Sequence, residues 1–370
     1  MKKLIHKFLV YLTYVLAVFI LLADISVFIS PAEVWPAAFF GLAFPYLMIL
    51  NFVFFVYWII TRKKVFMISL IALLLSINNV SHTFQPPKSN REQISSQGID
   101  SADKSMKILT YNVQIFNLFG NSLFGDQQQK IFDFIFKVDP DIICFQEFYV
   151  NELKNFSIYR VNGLLKQYEH RHIVWIQKGE YSRYGIAIYS KFPLINKEEL
   201  SFQNSSNISI YSDVAMGYDT VRIFNNHLQS INFDNKSYEF ITNQKTYSQS
   251  EKIRELQNIS VRLKDAFIKR GQQANFLAKK IDESSYPVVV CGDFNDTPVS
   301  YTYRTIREDM KDAFIEAGSG FGSTYGGRFP SYRIDYILHS SSLKTQSFNT
   351  ERIKHSDHYP VMARIFWSTE

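Results

Sequence analysis

The sequence is poor in the residues and motifs that mark several common classes of protein. Its 370 residues include only two cysteines, which excludes a disulfide-stapled scaffold and a cysteine-rich zinc site. It has no GxSxG elbow, no P-loop, no HExxH and no CxxC, so the usual serine hydrolases, nucleoside triphosphatases, zinc proteases and thiol redox enzymes are disfavoured. Charged residues make up only 20 % and hydrophobic residues 46 %, which excludes a disordered chain. The chain is therefore a folded protein.

Long apolar runs fill the first eighty residues. We predict a membrane anchor over residues 1–80, with three transmembrane helices at about 8–29, 34–60 and 65–80. The second run is the longest, and it carries Trp35 near one end and Trp58 near the other, as is typical of a helix whose ends lie at the headgroups. The third is short and contains serine and asparagine, so it either crosses or lies in the interface. A cleaved signal peptide is the alternative for the first run, but no small-residue cleavage pattern follows it.

Basic residues predict the orientation of this anchor, because lysine and arginine in short flanking loops stay in the cytoplasm. Three lysines precede the first run and a cluster at 62–64 follows the second, whereas the loop between them has none. If the third run crosses, the chain is a multi-pass protein of the cytoplasmic (inner) membrane with its soluble part on the outer, periplasmic face. If it does not cross, the soluble part is cytoplasmic. The anchor has six basic and two acidic residues, so it carries most of the net charge of +6.

The remainder of the chain reads as a polar linker and an α/β domain. Residues 81–105 contain two prolines and no apolar periodicity, which predicts a linker. From residue 106 to 370, short apolar runs alternate with polar helical segments, which is typical of an α/β fold. A long polar segment from Glu251 to Asp282 predicts a helix or a helix pair, and a run of glycines after residue 317 predicts a flexible loop.

Polar side chains follow the ends of six predicted strands. A strand that ends in a polar residue places it at the edge of the sheet, where the sites of α/β proteins tend to lie. Taken singly, each could be a turn former or a helix cap. The carboxylate and amide oxygens are ligands that suit Mg²⁺, and with histidines they suit phosphoryl transfer. The candidates are Asn112, Glu147, His227, Asp293, Asn295, Asp335, Asp357 and His358.

The motifs TYNV, FQE, NHL, GDFND, RIDYI and SDH, in this order, closely resemble the endonuclease/exonuclease/phosphatase family. That family includes deoxyribonucleases, apurinic endonucleases, bacterial neutral sphingomyelinases and inositol polyphosphate phosphatases. The resemblance covers about residues 106–366. It implies a four-layer α/β sandwich of two packed β-sheets with outer helices, preceded here by the transmembrane helical anchor. It also implies a Mg²⁺-dependent phosphoesterase, with Mn²⁺ as a substitute, in which water attacks a phosphodiester in line.

The resemblance also implies a metal site. Glu147 matches the principal Mg²⁺ ligand of the family, and Asn112 and Asp357 match further direct or water-mediated ligands. Some nucleases of the family have an acidic residue two positions after the first asparagine, where this sequence has Gln114. This position therefore does not supply the second metal ligand that those nucleases have, and the choice between one and two metal ions stays open.

The catalytic residues implied by the resemblance are two histidines with their acidic and amide neighbours. Asp293 matches an aspartate that orients water or acts as general base, and Asn295 matches an amide that orients phosphate. His358 would be held by Asp335, either to activate water or, as imidazolium, to stabilise the phosphorane. His227 occupies the position of a residue that contacts the phosphate.

The substrate class stays open at this point. Nucleic acid and a lipid headgroup both supply phosphodiesters, and the membrane anchor suits a lipid as well as a surface nuclease. The basic residues between 252 and 280 are interleaved with acidic ones, which favours a solvated helix face over a nucleic-acid groove. A catalytically inactive module displayed on the membrane is a remote alternative. The bilayer itself is the only other partner that the sequence implies.

Overall fold

The computed structural model describes residues 1–87, 104–117, 126–153, 156–203, 205–217, 219–231, 235–242, 247–327 and 331–368. The N-terminal part is helical, with α1 (Lys2–Ser26), α2 (Pro31–Val34), α3 (Ala37–Ile60), α4 (Phe66–Leu75) and α5 (Ile77–Thr83). The predicted linker lies largely outside the described residues. At its start α5 runs to Thr83, and Gln85 forms a backbone bridge with Gly320.

Two of these helices, α1 and α3, are long and apolar enough to cross a membrane. They coincide with the first two predicted spans. The helices α4 and α5 coincide with the third, but they meet at an angle of 74° and make a third crossing only if the bent pair is one span. Among the described residues, length and composition therefore give two candidate crossings, or three with the bent pair.

Polar contacts fix how these helices lie against one another. The Asn51 side chain in α3 donates a hydrogen bond to the Ser69 carbonyl in α4 at 3.1 Å. Beyond the end of α4, Ser76 and Asn79 both donate hydrogen bonds to the carboxylate of Asp24 near the end of α1. Such bonds hold helices together where no water competes for them. The helix α4 therefore leads the chain to the end of α1 that lies away from the N terminus.

Two mixed six-stranded sheets form the rest of the described fold. The first contains, in spatial order, β11 (Leu343–Thr350), β12 (Val361–Trp367), β1 (Ser105–Asn112), β2 (Ile142–Asn151), β4 (Ser182–Ser190) and β3 (His170–Lys178). The second contains β5 (Leu194–Ser201), β6 (Ile208–Ala215), β7 (Thr220–His227), β8 (Val288–Asp293), β10 (Asp335–His339) and β9 (Lys311–Asp312). The β1–β2 and β7–β8 pairs are parallel, and the other neighbouring strands are antiparallel. The helices here are α6 (Asp126–Val138), α7 (Ile158–Leu164), α8 (Asn235–Thr242), α9 (Gln249–Asp282), α10 (Tyr301–Arg307) and α11 (Ala313–Ala317).

Apolar side chains alternate along the strands and divide the core into layers. Ile108 of β1 packs into the core between the two sheets, whereas its neighbour Leu109 packs on the outer face with Phe132 of α6. On the outer face of the second sheet, Val290 packs with Leu277 of α9. This follows from the two-residue repeat of a strand. The four-layer α/β sandwich predicted from the sequence is confirmed, as is the long helix, which begins at a Ser248–Glu251 capping box.

The helical anchor packs directly against the second sheet's side of the sandwich. A Cβ atom on Gly41 of α3 would lie 2.0 Å from the Val299 carbonyl oxygen, so only glycine allows this approach. Nearby, the rings of Phe39 and Phe267 meet edge to face at 5.4 Å between centroids. The two parts therefore form one packed body.

Candidate active site

The register of the second sheet brings three of the predicted residues together. His227 ends β7 and pairs with Asp293, which ends the parallel strand β8. Asp335 begins the antiparallel strand β10 and pairs with Asp293 from the other side. Gly292, directly before Asp293, has a φ of 125° and lies so close to Asn226 that a Cβ atom would be 2.1 Å from its carbonyl oxygen. The glycine of the GDFND motif is thus required by the backbone.

Asp293 is the centre of this cluster. Its carboxylate accepts hydrogen bonds from the Asn295 backbone N–H at 2.8 Å, the Asn295 side chain at 3.2 Å and Asn112 Nδ2 at 3.0 Å. Because Asn112 ends β1, this last bond joins the two sheets. Burial raises the pKa of Asp293, while His358 opposes the rise. Only 1 % of the residue is exposed, so these donors replace water around the carboxylate.

His358 forms a buried pair with Asp335. Its Nδ1 lies 2.9 Å from Asp335 Oδ2, which assigns the Nδ1 proton to this bond and turns Nε2 toward Asp293, 3.7 Å away. Burial lowers the pKa of His358, but the carboxylates of Asp335 and Asp293 outweigh it, and the pKa is raised well above its ordinary value. The pair is itself positioned by Thr324, whose hydroxyl accepts the backbone N–H of Asp335 at 3.0 Å. The imidazolium form is therefore favoured.

Glu147 lies on a bulge of β2. The pairing of β2 with β4 shifts between Phe145 and Phe148, and Glu147 itself has a φ of 53°. Bulges of this kind re-aim a side chain at the rim of a sheet. Burial raises the pKa of Glu147 to about 7, although His358 acts in the opposite direction. With 27 % of its side chain exposed, Glu147 is within reach of an ion from solution.

A buried amide network holds this bulge between the sheets. Gln146 donates to Asn225 Oδ1 at 2.6 Å and to Thr110 at 3.0 Å. Asn225 in turn donates to the carbonyls of Phe145 and Ala187 in the first sheet, at 3.1 and 2.9 Å. Because the network uses buried polar groups on both sheets, it fixes the residue next to Glu147.

His227 points an unpartnered nitrogen at the carboxylates. Its Nε2 lies 3.8 Å from Glu147 Oε1 and 3.9 Å from Asp293 Oδ2, and it has no hydrogen-bond partner among the described residues. Burial lowers the pKa of His227, so the ring is neutral. A buried polar atom without a partner marks a place for a bound group.

Asp357 lies at the rim of the same cleft. Its backbone N–H donates to Gln114 Oε1 at 3.2 Å, and the neighbouring Ser356 hydroxyl donates to the Asn112 carbonyl at 2.7 Å. Burial raises the pKa of Asp357, with Asp293 adding to the rise and His358 opposing it. Gln114 stands where some nucleases of the resembled family have an acid, and its side-chain amide therefore positions the SDH segment here.

The oxygen donors present fit a hard divalent cation. Glu147 and Asp357 supply carboxylates, which Mg²⁺ prefers, and the free nitrogen of His227 faces the same space. Asn112 fits less directly, since its Oδ1 accepts the Gln114 N–H at 3.0 Å and its Nδ2 faces Asp293 and Glu147. Its amide must turn over before its oxygen can serve as a ligand.

A second compact group could be taken for a metal site. Ligand atoms of Asp293, Asp335 and His358 all lie within 4.8 Å of one another. Two of these residues are already hydrogen bonded to each other, and the third accepts three amide donors, so the group is better explained as a hydrogen-bonded triad. All eight predicted residues thus lie at one end of the two sheets, in two connected halves.

Several residues around the site carry no signal in the sequence. The ring of Tyr325 meets that of His358 edge to face at 5.3 Å, and both lie on an isolated strand pair. Tyr184 of β4 has a raised pKa because it is buried and faces Glu147 and Asp293. Tyr325 belongs to the glycine-rich segment predicted as a loop, and Tyr184 to the middle of a strand, where nothing distinguishes it from core tyrosines.

The segment that carries Tyr325 also contacts the anchor. The Tyr332 hydroxyl donates to the Leu42 carbonyl in α3 at 3.1 Å, and Arg333 donates to the His82 carbonyl in α5 at 2.9 Å. At its other end Gly320 exchanges backbone hydrogen bonds with Gln85. The described residues of segment 320–335, which are 320–327 and 331–335, therefore contact both the N-terminal helices and the His358–Asp335 pair.

Comparison with known proteins agrees with this geometry. A family model described as "Endonuclease/Exonuclease/phosphatase family" matches residues 109–358, and a model described as a domain of unknown function matches residues 6–83. The fold is similar to an endonuclease/exonuclease/phosphatase from Beutenbergia cavernae, with a TM-score of 0.53, 15 % identity and 72 % of each chain covered. It is also similar to one from Bacteroides vulgatus, with a TM-score of 0.51, 19 % identity, and 71 % of this chain and 99 % of that one covered.

A third similar structure is the human Nocturnin catalytic domain with bound sulfate anion. Its TM-score is 0.50 at 15 % identity, and 73 % of this chain and 96 % of that one are covered. A search of curated proteins found no match. These structural likenesses concern the fold.

Proposed function

Because the chain belongs to the endonuclease/exonuclease/phosphatase family, we propose that it is a divalent-metal-dependent phosphodiesterase that uses water as nucleophile. The observation that carries the proposal is the arrangement around Asp293. A buried carboxylate held by three amide donors faces the Nε2 atom of an aspartate-bound histidine at 3.7 Å. This is the pairing of a proton acceptor with a cationic donor that hydrolysis requires.

In this proposal each residue has a distinct part. Asp293 orients the attacking water and takes its proton. His358, as imidazolium held by Asp335, donates a hydrogen bond to a phosphoryl oxygen and stabilises its developing charge. Asn295 orients the phosphate, and neutral His227, which lies next to Asp293 on the neighbouring strand, also contacts it.

The residues that would hold a metal ion are Glu147 and Asp357, with Asn112 contributing only through a bridging water, because its Nδ2 stays hydrogen bonded to Asp293. Mg²⁺, or Mn²⁺ in its place, would neutralise charge on the phosphoryl and leaving oxygens. Glu147 would hold this ion from the bulge of β2, and Asp357 would hold it from the rim of the cleft.

The proposal is tested with the full chain purified in detergent. Hydrolysis of a chromogenic phosphodiester is measured with Mg²⁺, with Mn²⁺ and with a chelator, for the wild type and for His358→Ala. We expect metal-dependent hydrolysis that the variant loses by several orders of magnitude while it stays folded. Equal hydrolysis by the folded variant would contradict the proposal.

A lipid headgroup is a second candidate substrate, favoured by the contacts of segment 320–335 with the anchor. They keep the catalytic pair close to the membrane helices. The nucleic-acid alternative loses some of its expected cations, since Arg270 is buried against Asp296 at 3.1 Å and Lys264 lies over the Trp35 ring. A panel of plasmid DNA, RNA, sphingomyelin-like lipids and inositol phosphates separates the two. DNA cleavage without lipid turnover contradicts the lipid reading, the reverse contradicts the nuclease, and no turnover of any phosphoester supports an inactive binding module.

We also propose that the anchor is a multi-pass anchor of the cytoplasmic (inner) membrane with the catalytic domain on its outer face. The bond from Asn79 to Asp24 and the contact of Gly41 with Val299 put the domain at the end of the helices away from the basic residues. Basic flanks stay in the cytoplasm. Protease treatment of intact spheroplasts should cleave the domain, whereas protection until lysis would contradict this orientation.

A further inference from the structure

A partly open cavity of about 240 Å³ lies where the N-terminal helices meet the catalytic domain. None of its lining residues belongs to the cleft described above. One side is lined by the end of α1, the turn after it and the bent α4–α5 pair, and the other side by Pro298 and α10. We call it the junction cavity. It is smaller than the pockets of drug-sized ligands, so it suits a single small polar group and not a whole nucleotide or lipid.

The two walls of the junction cavity differ in chemistry. The wall from the membrane helices includes the apolar side chains of Val27, Phe28 and Leu75. The opposite wall includes Arg304 and Arg307 of α10. The same wall from the membrane helices also carries the polar side chains of Asp24, Asn78, Asn79 and His82. A cationic wall on the domain side that faces a wall of mixed polarity matches a small anionic group.

Both arginines have guanidinium N–H groups that a ligand could bind. Arg304 is exposed, and its guanidinium rests on the Phe28 ring at 4.1 Å without an ion pair among the described residues. Arg307 donates through Nη1 to the Met310 carbonyl at 3.2 Å, but its buried Nε has no partner in the described part of the chain. A buried N–H without an acceptor is costly, which indicates that an acceptor belongs there.

The lining contains one acidic residue, Asp24, against the two arginines. Both carboxylate oxygens of Asp24 accept hydrogen bonds, one from the Ser76 hydroxyl and the other from Asn79 Nδ2. These neutral donors replace water around the carboxylate, and the two arginines leave the lining with one positive charge in excess of Asp24. The exposed Asn78 side chain adds a further amide donor at the opening.

We propose that the junction cavity binds a phosphate group through Arg304 and Arg307, independently of the catalytic cleft. Guanidinium groups match the oxygens of phosphate in geometry and charge. The position of the cavity at the membrane end of the domain makes an anionic phospholipid headgroup the natural source, with soluble phosphate as the other.

The test measures binding to the full chain in neutral detergent. The probes are phosphatidylglycerol, diacylglycerol, which lacks the phosphate, and inorganic phosphate, each followed by the shift in melting temperature and by native mass spectrometry. The variant is Arg304→Gln together with Arg307→Gln, each also made singly. Arg171→Gln, on the exposed edge strand β3, is the matched control.

We expect phosphatidylglycerol to bind the wild type and Arg171→Gln, with affinity falling about ten-fold for each cavity arginine removed. Diacylglycerol should give no arginine-dependent shift. Arginine-dependent binding of inorganic phosphate, with none of phosphatidylglycerol, would keep the phosphate site and assign it to a soluble source. Binding of both phosphate-bearing probes that is equal in the wild type and the folded double variant, or absent in both, overturns the proposal.

Discussion

The replacement Asp293→Asn tests the proposed chemistry with the smallest change in shape. The carboxylate is 1 % exposed and accepts hydrogen bonds from Asn112 and Asn295. An amide keeps one acceptor oxygen, and it turns its NH₂ group toward a donor. The variant therefore loses its proton acceptor without leaving a cavity.

The expected effects on stability and on activity differ in size. Loss of a hydrogen bond to a charged group costs about 1.5–3 kcal/mol. Relief of the buried charge opposes this cost, because burial raises the pKa of Asp293 and so disfavours its charged form. We expect a net change in the free energy of unfolding below about 3 kcal/mol. Loss of a general base should slow hydrolysis about 10²–10⁴-fold.

The assay compares turnover of a chromogenic phosphodiester per folded molecule. Asp133→Asn serves as the matched control, because Asp133 is an exposed acid on α6 whose replacement changes the same atoms far from the cleft. The control should keep wild-type turnover. A folded Asp293→Asn variant with turnover within about three-fold of the wild type would refute the assignment, since a purely structural aspartate leaves the rate per folded molecule unchanged.

Three further replacements test the surroundings of Asp293. In Asp335→Asn the pKa of His358 should fall. A raised histidine pKa stabilises the fold below about pH 6.5 and no longer does so above the pKa of the folded state. The loss of stability in the variant, measured by unfolding at several pH values, should therefore be largest in acid and vanish in base. In Glu147→Gln the metal-free protein should be more stable than the wild type at pH 7 and above. The reason is that a carboxyl pKa of about 7 makes the wild type lose stability as the pH rises from about 4.5 to 7. Added Mg²⁺ should raise the melting temperature of the wild type and not that of the variant. Asn225→Asp removes two donors to buried carbonyls, so it should lower the free energy of unfolding by about 2–6 kcal/mol and abolish activity. The control is Asn162→Asp, where the side-chain oxygen only accepts a hydrogen bond. It should be nearly neutral in the same melting and turnover assays.

The site was predictable from the sequence to the extent that it lies at strand ends. Asn112, His227 and Asp293 each close an apolar run, and strand pairing alone brings the last two side by side. The hydrogen bond between Asn112 and Asp293 joins residues 181 positions apart, so only the packing of the two sheets creates it. The family resemblance supplied that packing, which the alternation of apolar residues could not.

Other features had no local signal. Asn225 lies within a strand whose sequence is typical of the core. Its amide is important only because it forms hydrogen bonds with three groups of the opposite sheet. Gln114 looked like a missing acid, but its contact with the Asp357 backbone depends on the fold. The anchor's contact with the domain is equally non-local, because Gly41 and Val299 meet only after both parts have formed.

That contact has a consequence for the order in which the protein is made. Gly41 leaves the ribosome about 250 residues before Val299 does. N-terminal parts generally fold first during synthesis. With the topology proposed above, the N-terminal helices would thus be inserted and paired while the second sheet is still incomplete. We expect the C-terminal half of the sandwich to complete its folding on a surface that the bilayer already holds in place, so that insertion of the anchor acts as an early step of domain folding.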